Sequence, residues 1–133
     1  MSHARLWHFY HDELKGNRTV TFKNGAVPGT PRMPHNASHL AAVQHYNENQ
    51  LGAFLDHLVL GLDYPEASKQ TQQGYTPFSK PDLAYVRDTM DIVAFDAYTS
   101  QVIYPIGDLA TCAANNASTN PYYPNCVGVT VST

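Results

Sequence analysis

The stretch from Asp91 to Ser100 reads Asp-Ile-Val-Ala-Phe-Asp-Ala-Tyr-Thr-Ser. Four consecutive apolar residues, Ile92 to Phe95, predict a strand buried on both faces. Side chains alternate along a strand, so Asp96 and Tyr98 share a face with Ile92 and Ala94, while Val93, Phe95 and Ala97 take the other. Polar residues at the C-terminal end of such a strand are where parallel α/β folds carry their chemistry. The rest of the chain must supply the layers that cover this strand.

Composition narrows the partners. Of 133 residues, 43% are hydrophobic and 14% charged, which suits a folded α/β protein and argues against disorder. The net charge of -3, with no cluster of Lys or Arg, argues against nucleic acid as a partner. No apolar run approaches the ~20 residues of a membrane helix, so no membrane partner is expected. Three Asn-x-Ser/Thr sequons, at Asn17, Asn36 and Asn116, point to a secreted glycoprotein. Cys112 and Cys126 form a disulfide worth roughly 3 kcal/mol if the compartment is oxidising, and are two free thiols if it is not. The opening Met-Ser-His-Ala-Arg-Leu-Trp-His lacks the apolar core of a signal peptide. A secretion signal is therefore expected upstream of Met1.

Local patterns place the other elements. Ser2 to Leu14 predicts a helix with Trp7, Tyr10 and Leu14 on one stripe and Gly16 as its stop. Arg18 to Phe22 alternates like a short strand, and Pro28, Pro31 and Pro34 predict an irregular connection. The longest helix is expected from about Ser38 to Asp56, capped by Asn36 or Ser38, with Leu40, Val43, Leu51, Phe54 and Leu58 repeating at helical spacing. Gly52 inside it implies close packing against a neighbour. Asp63-Tyr64-Pro65-Glu66 opens a short helix towards Gln72, and Ser79-Lys80-Pro81-Asp82 opens another carrying Leu83 and Val86. Two strands alternating with helices are too few to close a sheet, since a complete parallel barrel takes at least ~200 residues.

Several of these segments resemble the β-glucosidase family, glycoside hydrolase family 1. Ser2-His3-Ala4-Arg5 is similar to the helix start after that family's acid/base strand. Leu51-Gly52-Ala53-Phe54-Leu55-Asp56 and Asp63-Tyr64-Pro65-Glu66 are similar to its Leu-Gly-Trp-Phe-Leu-Asp and Gly-Asp-Tyr-Pro-Glu, at the same spacing. Asp91 to Ser100 resembles its Asp-Phe-Ile-Gly-Leu-Asn-Tyr-Tyr-Thr-Ser strand, and the tail with Cys112, Pro124 and Cys126 resembles the secreted fungal branch. The chain departs from the pattern at Leu62 (usually Gly), Ala53 (Trp), Ala97 (Tyr) and Asp96 (Asn), although the secreted fungal branch tolerates Asp at that last position.

The resemblance implies that residues 1–133 are the middle segment of one (β/α)8 TIM-barrel domain. It implies a retaining exo-acting enzyme that hydrolyses β-glucosides such as cellobiose and needs no cofactor. Retention takes two carboxylates about 5–5.5 Å apart. In the family these are the Glu of Asn-Glu-Pro and the Glu of Thr-Glu-Asn-Gly, and neither motif occurs here. Glu13, Glu48 and Glu66 stand in other contexts, so both catalytic carboxylates are expected outside this chain. The resemblance assigns Tyr98 as donor to the nucleophilic carboxylate and Asp96 as its neighbour in the active-site wall, where an ionised Asp96 raises the nucleophile's pKa. The alternative is a truncated, non-catalytic remnant that at most binds sugar or a protein partner.

Other constellations carry less. His8 with His11 and His35 with His39 have helical spacings, but no further ligand completes either pair, so no metal site is expected. His3 belongs to the family-like helix start and is read as packed or capping. Asp88 and Asp91 are read as turn or cap residues.

Overall fold

A computed structural model describes residues 1–71, 74–107, 109–114 and 120–131. The N-terminal helix α1 (Ser2–His8) runs on as a wider π-helical turn over Phe9–Glu13. Two short strands follow, β1 (Lys23–Asn24) and β2 (Gly29–Pro31). Helix α2 (Ala37–Asn47) continues through π-helical and α-helical turns, including α3 (Ala53–Leu55), to Leu60. Then come α4 (Glu66–Thr71), α5 (Lys80–Val86), β3 (Ala94–Phe95), β4 (Gln101–Pro105), α6 (Leu109–Ala114) and β5 (Val127–Val131). Among the described residues no helix is long and apolar enough to cross a membrane.

The strands form two sheets. In one, β1 pairs parallel with β3, with Lys23 opposite Ala94 and Asn24 opposite Phe95. The other has the order β2-β4-β5, parallel between β2 and β4 and antiparallel between β4 and β5. Helix α2 lies against this second sheet, where Ala42, Tyr46, Ile103 and Val127 are buried together beside Val43. The Tyr46 hydroxyl donates to Gln101 Oε1 at 2.5 Å. A second core cluster gathers Ala4, Leu58 and Val86 with Phe22 and Met90, joining α1, the turn at 56–60 and α5.

The helix caps follow the sequence. Asn36 Oδ1 accepts from the Ser38 amide at 2.9 Å, which satisfies a donor orphaned at the start of α2. Ser79 Oγ accepts from the Asp82 amide and donates to its carboxylate. Gly52 is buried, and a Cβ there would stand 2.7 Å from Pro65 Cγ, so the chain approaches too closely for any other residue. Gly61 ends the long helical run at φ +66°. Cys112 and Cys126 are joined by a disulfide, Cα to Cα 5.7 Å, which ties α6 to the start of β5.

Other expectations are corrected. The first extended pairing begins at Lys23, not within Arg18 to Phe22, because Val20 and Thr21 bond the start of the Asp91 strand without forming a regular ladder. The proline-rich connection contains β2, since an edge strand leaves the Pro31 nitrogen without a ladder partner to lose. The Trp7, Tyr10 and Leu14 stripe does not enter the core: Leu14 is exposed, and Ala4 is the buried residue of α1. Leu40 and Phe54 are exposed too, while His39, Ala42, Tyr46 and Asn49 line the buried face of the α2 run. Asn49 is tolerated there because it is bonded. Ser68 Oγ donates to Asn49 Oδ1 at 2.8 Å, and Thr71 Oγ1 donates to the Ala67 carbonyl at 2.9 Å.

The run Ile92 to Phe95 is the largest correction. Ile92, Val93 and Phe95 are exposed, because among the described residues β3 has one strand neighbour and its faces are only partly covered. Total accessible surface is 8124 Å², against about 6,900 Å² for a compact monomer of this mass. The apolar faces belong to a larger fold.

Three histidines set the response to pH. His8 is raised because its ring bonds the Tyr85 carbonyl at 2.9 Å and Asp12 at 2.6 Å. Its contribution is full below the unfolded value near 6.5 and is lost as pH rises through the higher folded value. His45 and His57 are lowered by burial, so their cost appears as pH falls below that same value. Thermal midpoints measured from pH 5 to 9 should therefore peak near neutrality. His8→Gln should flatten the alkaline side alone, and a parent profile that rises steadily through pH 8 would contradict these assignments.

Candidate functional site

One carboxylate aligns the parallel pair. Asp91 Oδ1 accepts from Trp7 Nε1 at 2.8 Å, and Oδ2 accepts from the Val20 amide at 2.6 Å and faces His11 Nε2 at 3.0 Å. Its own amide donates back to the Val20 carbonyl, and Thr21 Oγ1 donates to the Ile92 carbonyl at 2.6 Å. The Val20 amide is the main cause that holds Asp91 below the usual carboxylate range. Asp91 is thus more than the turn or cap residue expected from its neighbours in sequence. It bonds α1 to the segment leading into β1.

At the opposite, C-terminal ends of β1 and β3 lies a polar face. The Asp96 amide donates to the Asn24 carbonyl at 3.0 Å, which extends the pairing one step beyond Phe95. Lys23 stands opposite Ala94, and alternation puts Lys23, Ala94, Asp96 and Tyr98 on one side of the sheet. Lys23 Nζ bonds Asp96 Oδ2. That contact comes first, and the Tyr98 hydroxyl second, in holding the Asp96 carboxyl below its ordinary value. The rest of Tyr98 faces solvent, 86% exposed. The structure therefore brings Asp96 and Tyr98 together as the sequence predicted.

It adds Lys23, which sequence reasoning missed. The signal was the Lys-Asn-Gly ending of an alternating run, legible only once β1 is known to lie beside β3. Asn24 is buried on the other side, where its Oδ1 accepts from the Ala26 amide at 2.8 Å and turns the chain out of the strand. A small apolar pocket of about 220 Å³ adjoins that side, lined by Ala26, Pro28, Leu51, Phe95 and Ala97.

The three glutamates lie elsewhere. Glu13 ends the first helical run, Glu48 lies within the second and Glu66 opens α4. None stands at the C-terminal end of a strand. The histidines are engaged structurally: His11 Nδ1 bonds the Gly16 carbonyl at 2.9 Å, His8 stacks on Tyr85, and His3 packs edge-on against Phe22. His35 precedes the Asn36 cap and so lies outside α2. Among the described residues no group of three or more His, Cys, Asp or Glu is placed to hold a metal ion. Asn17 and Asn36 are on the surface, and Asn116 lies outside the described residues.

Trp7 is the sole tryptophan, so it reports on the Asp91 contacts. Asp91→Ala should lower stability by about 1–2 kcal/mol in urea unfolding, because the Trp7 indole and the Val20 amide lose their acceptor. Trp7 emission should shift to the red in the folded state. Unchanged emission and midpoint would show that this carboxylate does not organise the strand pair.

A family model described as Glycosyl hydrolase family 1 matches residues 1–125. The chain is similar to the β-glucosidase from Trichoderma harzianum, at 23% identity and a TM-score of 0.74, over 96% of this chain and 26% of that one. It is similar to β-glucosidase 2 from Trichoderma reesei, solved in complex with Tris, at 21% identity and a TM-score of 0.78 over the same shares. Aphid myrosinase matches at 17% identity and a TM-score of 0.72, over 98% of this chain and 29% of that one. No curated protein matches the sequence. The chain spans just over a quarter of the solved structures it resembles, and its fold is a partial (β/α)8 barrel.

Proposed function

The chain belongs to glycosyl hydrolase family 1, and from that membership we propose that residues 1–133 form part of a single barrel domain of a retaining β-glucosidase that cleaves β-glucosides such as cellobiose. The observation that carries this reading is the parallel β1–β3 pair, whose C-terminal ends carry Lys23, Asp96 and Tyr98 on one face. Barrel enzymes build their active sites at that end of the strands.

The chemistry divides between this segment and the rest of the barrel. A retaining glycosidase protonates the leaving oxygen with one carboxylic acid while a second carboxylate attacks the anomeric carbon. Both carboxylates come from strands outside these 133 residues. Tyr98 supplies a hydroxyl to the nucleophile, which favours its charged form and fixes the attacking oxygen. Asp96 lines the same wall, and no cofactor is needed. Surface sequons at Asn17 and Asn36 and the Cys112–Cys126 bridge support a secreted, glycosylated protein.

A non-catalytic remnant that binds sugar or a protein partner is the second reading, favoured by the exposure of Tyr98 and of the β3 faces. On either reading the purified 133-residue chain should release no chromophore from an aryl β-glucoside above a buffer control. Reproducible turnover, abolished by substitution at Glu13, Glu48 or Glu66, would overturn the placement of both carboxylates outside the segment.

A further inference from the structure

The substitution of Asp for the family's Asn at position 96 introduces a charge into the site wall. An asparagine there is neutral. An ionised aspartate beside a nucleophilic carboxylate opposes that group's ionisation and so weakens it as a nucleophile at a given pH. A cation beside it offsets that charge.

Lys23 is placed to do so. It projects from the neighbouring strand on the face that carries Asp96, one register step before the Asn24 carbonyl that receives the Asp96 amide. The offset along the sheet is two residues, about 6.6 Å, which a four-carbon lysine stem spans. Its ammonium bonds Asp96 Oδ2 directly. Among the described residues the charged and titratable groups that act on Asp96 are Lys23, from β1, and Tyr98, from the exit of β3.

Stability does not account for the pair. Lys23 is two-thirds exposed, and surface ion pairs contribute little. Once substrate and the rest of the barrel exclude water, the same pairing strengthens as the local dielectric falls.

We propose that Lys23 is a positioning residue that neutralises Asp96 and so makes an aspartate in this wall compatible with a neighbouring nucleophilic carboxylate. The pair presents the nucleophile with no net charge, as asparagine does in the family pattern. This rests on the reading that Asp96 and Tyr98 line the active-site wall.

Two measurements separate the proposal from that reading. In the 133-residue chain, carbon-detected NMR titration should show the Asp96 carboxyl midpoint rising in Lys23→Met and staying put in Lys23→Arg. An unmoved midpoint in Lys23→Met overturns the pairing and the proposal. In the longer protein that carries both carboxylates, Lys23→Met should move the acid limb of the kcat/KM profile up by about one unit. Lys23→Arg should hold it, and Lys23→Met/Asp96→Asn should return it. An unmoved limb, or one the double substitution fails to restore, overturns the proposal while leaving the family reading intact. A longer protein inert towards every β-glycoside overturns both.

Discussion

The Asp91 carboxylate is the contact on which the site's geometry depends. It accepts from a tryptophan on α1 and from the backbone ahead of β1, and faces a histidine of the turn that continues α1. Through it the first helix, the approach to β1 and the start of β3 share one register. Further along, that register sets Lys23 opposite Ala94, two residues short of Asp96 and within reach of its carboxylate. One end of the pair is thus tied down by Asp91 and the other carries the Lys23, Asp96 and Tyr98 face; parallel barrels keep stability and chemistry at opposite ends of their strands in this way.

The remainder of the packing reflects a fold larger than this segment. Among the described residues the largest fully buried side chains are Ile103 and Val86, and Ile92, Val93 and Phe95 are left in the open. A buried polar network around Asn49, Ser68 and Thr71 joins the long helical run to α4. Such networks specify geometry because each member left unbonded costs free energy. The apolar faces of β3, by contrast, await neighbours, as expected of about a quarter of a barrel.

How much could be read in advance varied with the range of the interaction. The caps at Asn36 and Ser79 and the tight approach at Gly52 were legible because they depend on residues close in sequence. So was the polar pair Asp96 and Tyr98, since alternation places both on one face. The faces of the helices were not. The pattern of Leu40, Leu51 and Phe54 marks apolar positions, whereas burial follows what lies opposite, and His39, Tyr46 and Asn49 face the neighbours present. Strands β4 and β5 were missed because their pairing spans a long insertion tied by Cys112 and Cys126. Lys23 was missed for a similar reason: its partner lies 73 positions away.

As proposed above, this segment is one part of a retaining glycosidase whose two carboxylates lie on strands to either side. The most direct measurement is the sequence of the source transcript upstream of Met1 and downstream of Thr133. An Asn-Glu-Pro motif ahead of the Ser2-His3-Ala4-Arg5 helix, and a Thr-Glu-Asn-Gly motif following residue 133, is the predicted result. In-frame stop codons bounding the segment, with neither motif, would contradict the account and leave Tyr98 without the carboxylate it is proposed to serve.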